Sequence, residues 1–170
     1  MTAVLSPCRI YRYSLTRVIK EHPNGPTVVL IGVNPSTADE NNDDATIRKE
    51  MGFGKRLGWG RIIKVNLFPL RATDVRELAG RGIPPNVWLH NIGAQSEAFR
   101  IADLIIPCWG SRTKIPLPKS EIGAIIFATW ERFSVCDESK VKCFGVTKSG
   151  DPRHPLMLAY NTPLVPCYLS

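Results

Sequence analysis

The sequence predicts an α/β fold, a three-layer α/β/α sandwich with a mostly parallel sheet of four strands. Apolar runs rich in Val, Ile and Leu alternate along the chain with segments of helical periodicity, and turn residues separate them. Because parallel strands need right-handed crossover connections, helices are expected on both faces of the sheet. The 170 residues suffice for one domain, 1–170, with a substantial core.

Four apolar runs predict the parallel strands, at 27–33, 61–67, 103–109 and 142–146. The first run is bounded by Gly25-Pro26 and by Asn34-Pro35, which is typical of a buried central strand. The run at 11–19 alternates more loosely before a turn at 22–25, so it predicts an edge strand or a hairpin arm.

Helices are predicted between the strands. The first follows Asp43 or Asp44, either of which suits an N-cap, and it stops at Gly58. The pair Thr73-Asp74 suits the cap of a short helix that ends at Leu78. Two longer helices are expected at 86–100 and 119–133.

The chain is basic, with 22 Lys and Arg against 15 Asp and Glu, a formal charge of +7 and a pI near 9.4. A pI above about 9 is typical of nucleic-acid-binding domains. Basic and aromatic residues interleave in two regions, 9–20 and 55–64, which suits a phosphate backbone with stacked bases. Solvated helix faces produce the same pattern, so both interpretations stay open.

Five cysteines without a Cys-x-x-Cys pair argue against a disulfide framework and against a zinc or iron–sulfur centre. Plain thiols, several of them buried, are expected. The longest apolar stretches, 101–109 and 122–130, are shorter than the roughly 18 residues of a membrane span. The amino terminus lacks the apolar stretch of a signal peptide. We therefore expect a cytoplasmic monomer that uses no metal and no other cofactor.

Polar residues follow three of the predicted strands. Asn34-Pro35-Ser36 comes directly after the first, Asn66 closes the second, and His154 lies in the loop after the last. Ligands of parallel sheets bind beyond the carboxyl ends of the strands, so we expect Asn34, Asn66 and His154 to converge on one pocket there. Each motif alone also suits an ordinary turn, because Asn, Pro and Ser are common turn formers.

The same motifs in the same order resemble the uracil-DNA glycosylase superfamily, which places an Asn at the end of the second strand and His-Pro after the last. Its mismatch-specific branch has Gly-Ile-Asn-Pro-Gly where this chain has Gly32-Val33-Asn34-Pro35-Ser36. From about residue 12 to residue 166 the chain also resembles a bacterial and phage family known only as a domain of unknown function. Members of that family carry Asn-Pro-Ser-Thr-Ala-Asp, Val-Asn-Leu-Phe and Pro-Arg-His-Pro, as this chain does.

The glycosylase resemblance implies catalytic roles for these motifs. Asn34 matches the residue that positions the attacking water, and His154 matches the residue that hydrogen-bonds the departing base oxygen. Asn66 matches the residue whose amide reads the edge of the base, since an amide offers both a donor and an acceptor. Asp39 is the nearest carboxylate that could assist the water.

The resemblance also implies a pocket for a flipped base. Pro35 and Ser36, in the turn after the first strand, are expected to belong to it. Phe53 or Trp59 is expected to stack on the base, because enzymes of this kind extrude the nucleotide from the duplex before they act on it.

The chain departs from the glycosylase pattern in two places. Leu156 stands where the superfamily has the Ser of His-Pro-Ser, which holds phosphate, so Arg153 and Lys148 are expected to bind phosphate instead, with Arg56 as a further DNA contact. The acidic run 39–44 has no counterpart in that pattern. It either receives polar groups of a larger or modified base or caps the following helix.

We therefore expect a metal-independent DNA glycosylase that removes a flipped, modified base, in repair or in defence against phage with modified DNA. Two other functions stay open: a hydrolase or transferase that acts on a free nucleoside or nucleotide, and a nucleic-acid-binding module without activity. The expected convergence of polar groups favours an enzyme, and the positive charge favours a polymer as substrate.

Overall fold

A central sheet of five strands organises the chain in the computed structural model, which describes residues 1–134 and 138–168. The strands are β1 (Thr2–Leu5), β2 (Arg12–Val18), β3 (Thr27–Gly32), β4 (Arg61–Asn66) and β5 (Leu104–Pro107). Their order across the sheet is β1-β2-β4-β3-β5. β3 runs parallel to both of its neighbours, β4 and β5, whereas the pairs β1–β2 and β2–β4 are antiparallel. The sheet is therefore mixed.

The α/β class is confirmed, but the four-stranded, mostly parallel sheet is a correction. The run at 142–146 contributes only a short strand, β6 (Lys142–Cys143), which pairs antiparallel with β7 (Val165–Pro166) in a separate small sheet. One parallel bridge between Val141 and Ile105 links this region to β5. The strand ends early because Gly145 has a φ of +83° and turns the chain away.

Three α-helices connect the strands: α1 (Ala45–Leu57), α2 (Pro85–Arg100) and α3 (Lys119–Ser134). Asp44 caps α1 by accepting a hydrogen bond from the backbone N–H of Ile47, and Gly58 ends the helix in the left-handed conformation. Asp74 caps the 3₁₀ helix Val75–Leu78, and a capping box completes that turn. These caps confirm the predicted helix ends.

The helices cover both faces of the sheet and so make three layers. Phe53 of α1 shares one apolar cluster with Leu30 and Ile62, whereas Phe99 of α2 and Ile126 of α3 share another with the alternate strand residues. Strands enclosed in this way are apolar on both faces. The polar residues Lys64 and Asn66 depart from that rule, since both are buried on the α1 face of β4.

The run at 11–19 forms a hairpin arm, which was one of its two predicted interpretations. β2 lies between β1 and β4, so β1 is the edge strand on this side of the sheet. Two buried arginines of β2 hold the loop between β3 and α1. Arg12 donates to the carbonyl of Ala38 at 2.7 Å, and Arg17 donates to the carboxylate of Asp43 at 2.7 Å.

Four cysteines lie in the described ranges, and all are free thiols, as expected. Cys108, Cys143 and Cys167 are buried, and Cys8 is exposed. Cys136 lies outside the described residues. None of the helices in the described ranges is long and apolar enough to cross a membrane.

Candidate active site

A cleft of about 950 Å³ lies beyond the carboxyl ends of β3, β4 and β5. Its walls come from the segments that follow these strands, from the first turn of α1 and from the loop around His154. The volume is near the upper end of the range of about 300–1,000 Å³ that is common for small-molecule sites. Asn34, Asn66 and His154 all line this cleft, so the structure brings the three expected residues together.

The side chain of Asn34 is fixed by the turn in which it lies. Its Nδ2 donates to the backbone carbonyl of Ala72 at 2.8 Å and to that of Pro35 at 3.0 Å. The Oδ1 atom makes no hydrogen bond within the described residues. Because both amide protons are used, Asn34 offers the cleft an acceptor and not a donor.

Asn66 has the opposite arrangement, a pinned backbone and an unpaired side chain. Its carbonyl accepts hydrogen bonds from Gln95 Nε2 at 2.7 Å and from Asn91 Nδ2 at 3.3 Å, both on α2. Its side chain is buried, yet neither Oδ1 nor Nδ2 has a partner within the described part of the chain. Buried amide groups are almost always paired, so an unpaired one at the wall of a cleft suits a ligand.

His154 presents a neutral imidazole to the cleft. Burial, with a smaller contribution from the charge of Lys64, lowers its pKa to about 4, and the nearby carboxylate of Asp44 opposes this shift. The backbone N–H of Leu156 donates to Nδ1 at a long 3.4 Å, which places the proton of the neutral ring on Nε2. His154 is therefore a donor at neutral pH.

The loop that carries His154 is anchored by a buried aspartate. Asp151 accepts hydrogen bonds from the backbone N–H of Arg112 at 3.0 Å, from its guanidinium at 2.5 Å and from Ser149 Oγ at 2.8 Å. Gly110, with a φ of +76°, closes against the loop, since a Cβ there would lie 3.3 Å from the Cβ of His154. The segment after β5 thus sets the position of the imidazole.

A buried ion pair lies at the floor of the cleft. Lys64 Nζ is 2.5 Å from Glu50 Oε1 and 3.6 Å from Cys108 Sγ, and Lys64 also lines the cleft. Burial alone would lower the pKa of Lys64, but the carboxylate of Glu50 and the hydrogen bonds to Glu50 and Cys108 outweigh it and raise the pKa. Burial raises the pKa of Cys108 to about 12, so this residue stays a neutral thiol.

The acidic run 39–44 serves the loop and the helix. Asp39 does not line the cleft: its Oδ1 accepts from the backbone N–H groups of Asn41 at 2.9 Å and Asn42 at 3.0 Å, which closes its own turn. These backbone bonds lower its pKa. The expected assistance of the water by Asp39 is therefore corrected. Asp44 does line the cleft, but its side chain caps α1.

Three residues expected to bind the base lie elsewhere. Pro35 is buried, and its carbonyl accepts from the backbone N–H of Ala72 at 2.8 Å, so it holds the turn. Phe53 and Trp59 belong to the core between α1 and the sheet, and neither lines the cleft. Periodicity alone does not say which face of α1 an aromatic side chain occupies. Of this expected set, Ser36 does line the cleft.

Trp109 is the residue with a large aromatic ring that lines the cleft among the described residues. It follows β5, lines the cleft and is buried, and its Nε1 has no partner within the described ranges. The sequence signal was its place at the end of an apolar run, the same signal that identified Asn66. Lys64 carries a further signal, a charged residue in the middle of a buried strand, within the basic region 55–64.

The expected phosphate-binding residues divide into two sets. Arg153 lines the cleft and is exposed, and Lys114 lies on the same rim. Lys148 is exposed next to Thr147, which lines the cleft, although Lys148 itself does not. Arg56 lies in the last turn of α1, about 16 Å along the helix from the end that borders the cleft. Arg56 is therefore corrected to a surface residue away from the site.

The described residues contain no group of three or more His, Cys, Asp or Glu side chains that could hold a metal ion. The polar groups that line the cleft are amides, hydroxyls, an imidazole, an indole and cations, with Asp44 and Asp74 as its carboxylates. This set suits hydrogen bonding to an organic ligand better than the coordination of a cation.

The chain belongs to the family described as "Protein of unknown function (DUF1643)", whose model matches residues 12–156. The match includes Asn34, Asn66 and His154, together with the strands and helices that position them. It confirms the resemblance to a family known only as a domain of unknown function. No curated protein and no solved structure matches the chain.

Proposed function

We propose that this member of the DUF1643 family is a metal-independent DNA glycosylase, which hydrolyses the N-glycosidic bond of a flipped, modified base and leaves an abasic site. One observation carries the proposal. Asn34, Asn66 and His154 line one cleft, and in each side chain the hydrogen-bonding group that the proposed role requires has no partner within the described residues. Their order in the chain is that of the uracil-DNA glycosylase superfamily.

The three side chains suit a largely dissociative hydrolysis. Breaking the bond between C1′ and the base nitrogen creates a cation-like sugar and an anionic base. Asn34 Oδ1 is the free acceptor that would orient the attacking water, although an amide cannot take up its proton as a carboxylate would. His154, neutral with its proton on Nε2, would donate to the oxygen of the departing base.

The base would lie between Asn66 and Trp109. The unpaired amide of Asn66 supplies one donor and one acceptor, which match the edge of a nucleobase. Trp109 supplies an aromatic wall in the cleft. The volume of about 950 Å³ leaves room for a base that carries an added group. A flipped nucleotide fits such a pocket better than a base within a stacked duplex.

Cations at the rim suit the phosphates on either side of a flipped nucleotide. Arg153 and Lys114 line the cleft, and Lys148 is exposed beside it. The formal charge of +7 favours a polyanion over a single nucleotide. We place the proposed enzyme in the cytoplasm as a monomer, with a role in repair or in defence against phage with modified DNA.

A glycosylase-like fold is part of the same proposal. It is supported by three parallel strands between two helical layers, with the candidate site at their carboxyl ends. The hairpin β1–β2 extends that sheet on one side. Since one fold hosts many functions, the side chains in the cleft carry more weight than the topology.

The proposal is tested by incubating the protein with DNAs that contain different modified bases and then treating them with alkali, which breaks strands at abasic sites. We expect alkali-labile sites with at least one base, and their loss in His154→Ala. The matched control is His90→Ala, an exposed histidine of α2 outside the cleft, which should cleave like the parent. If no modified base yields such sites, the DNA glycosylase proposal is wrong.

A hydrolase of free nucleosides or nucleotides is a second candidate, favoured by the two carboxylates of the cleft. Asp44 and Asp74 line it, and carboxylates repel a DNA backbone but accept hydrogen bonds from ribose hydroxyls. Incubation with free nucleosides, followed by chromatography of the released base, tests this candidate. Release from nucleosides without any action on DNA would favour it over the glycosylase.

A further inference from the structure

The buried pair of Lys64 and Glu50 is not used by the roles assigned above. Lys64 is 4% exposed and Glu50 is fully buried, yet Lys64 lines the cleft. A buried ion pair adds little or nothing to stability, because the loss of hydration offsets the attraction between the charges. Two apolar residues of similar size would stabilise the fold at these positions as well as the ion pair does. The position of the pair therefore points to a use in the site.

The ammonium of Lys64 has three N–H donors, and its protein neighbours accept hydrogen bonds from two of them. Of its three N–H groups, one faces Glu50 Oε1 at 2.5 Å and one faces Cys108 Sγ at 3.6 Å. Glu50 lies on α1, behind Lys64, and holds the ammonium in place. The remaining N–H is left for a ligand in the cleft.

Lys64 and Asn66 lie side by side at the floor of the cleft. They are two residues apart on β4 and so project from the same face of the sheet. Gly32, their neighbour on β3, makes room for both. A Cβ at Gly32 would lie 2.9 Å from Asn66 Oδ1 and 3.1 Å from Lys64 Nζ. A ligand edge that reaches the unpaired amide of Asn66 therefore also meets the ammonium.

We infer that Lys64 is a further catalytic residue, which donates a hydrogen bond from its ammonium to the base as the base leaves with negative charge. This inference rests on the proposed glycosylase function. The bond between C1′ and the base nitrogen breaks, and its electron pair stays on the base, where Lys64 and His154 stabilise the anion. Water forms the new bond to C1′, and the proton that it loses ends on the released base. Bases with a ring carbonyl beside an N–H fit this floor, because they can spread the negative charge onto oxygen.

The first test is the double variant Lys64→Met/Glu50→Gln. It removes both charges of the pair together, so neither partner is left buried with its own charge unpaired, and the fold should persist. The matched control is Lys55→Met/Glu21→Gln, which removes an exposed ion pair of 2.7 Å at the far end of α1. Base release should fall by about 10²–10³-fold in the first variant, as when one oxyanion donor is lost, and should be unchanged in the second.

The rate loss in the double variant should depend on the acidity of the leaving base if Lys64 acts in catalysis, and should not depend on it if Lys64 only supports the fold. A 5-fluoro substituent makes a pyrimidine more acidic, so its anion needs less help from the protein. The loss in Lys64→Met/Glu50→Gln should therefore be clearly smaller for DNA with the 5-fluoro analogue of the cleaved base than for the base itself. Equal losses for both bases, or a rate near that of the parent, would overturn the inference.

A binding measurement separates this inference from the proposed function. Calorimetric titration with free 5-fluorouracil, which ionises at mildly alkaline pH, should give the parent at least tenfold tighter binding of the anion than of the neutral base. The double variant should lose that preference. Equal affinity of the parent for both forms overturns the role of Lys64, whether or not DNA is cleaved. Preference for the anion in a protein that releases no base from DNA would leave the Lys64 site standing and refute the glycosylase proposal.

Discussion

Replacing Asn66 by Leu should stabilise the protein while it abolishes base release. The side chain is buried and is shaped like Leu, but its two polar amide atoms have no partner within the described residues. A buried polar group without a partner typically costs about 1–3 kcal/mol, whereas an apolar group of the same shape carries no such cost. We therefore expect the free energy of unfolding of Asn66→Leu to rise by about 1–3 kcal/mol.

Asn91→Leu is the matched control, because the same substitution there should have the opposite effect. Asn91 is also fully buried and its Oδ1 has no partner within the described residues, but its Nδ2 donates to the carbonyls of Asn66 and Leu67. Its loss leaves buried carbonyls with fewer partners, so we expect a destabilisation of about 1–3 kcal/mol. In a chain of this size each kcal/mol moves the Tm by about 2–4 °C, which places the two variants on opposite sides of the parent.

Thermal and urea unfolding of the parent and both variants measure these shifts, and the alkali assay measures base release. The reasoning requires Asn66→Leu to be at least as stable as the parent and inactive. If Asn66→Leu loses stability as Asn91→Leu does, the amide of Asn66 supports the fold and is not held for a ligand.

Three further predictions concern the other groups of the site. His154→Ala should stay folded and release base about 10²–10³-fold more slowly. Asn34→Ala should slow base release and also lose about 1–3 kcal/mol of stability, because its amide donates hydrogen bonds to two loop carbonyls. Circular dichroism measures the loss of stability, and single-turnover rates measure the loss of base release. Stability should fall as the pH is lowered from 6.5 to about 4, since only the unfolded chain binds the His154 proton in that range; urea unfolding at several pH values would contradict the buried neutral imidazole if stability stayed flat there. DNA affinity should fall as salt rises, with a log–log slope that Arg153→Ala lowers by roughly one and that Arg56→Ala leaves unchanged, as binding titrations at several salt concentrations would reveal.

The sequence predicted the parts of the fold that local chemistry determines. Asp44 and Gly58 bound α1 because an aspartate oxygen caps the first turn and a glycine takes the left-handed conformation at the end. The three parallel strands and the polar residues at their ends could be predicted for the same reason, because each strand is an apolar run that stops at turn-forming residues. The convergence of Asn34 and Asn66 followed from the direction of those strands, whereas His154 lies in the cleft although the strand predicted before it is only the short β6 of a separate sheet.

The remaining features depend on contacts between distant segments. Phe53 and Trp59 are aromatic and lie near the site in sequence, but the packing of α1 directs them into the core. Asp39 satisfies the N–H groups of its own turn, which a sequence pattern does not separate from a catalytic carboxylate. The pairing of Lys64 with Glu50 joins β4 to α1 and has no local signal beyond a charge inside an apolar run. The fourth strand ended early for a local reason, the positive φ of Gly145, that the apolar run concealed.

Mass spectrometry of the material released from DNA tests the central claim most directly, that the cleft removes a base by hydrolysis of its N-glycosidic bond. DNA from phage with modified bases is incubated with the parent or with Asn66→Leu, and the soluble fraction is analysed. We expect the parent to release one free base for each abasic site left in the DNA, and Asn66→Leu to release none. Release of nucleosides or nucleotides, or of no soluble product from any of the modified DNAs, would contradict the claim.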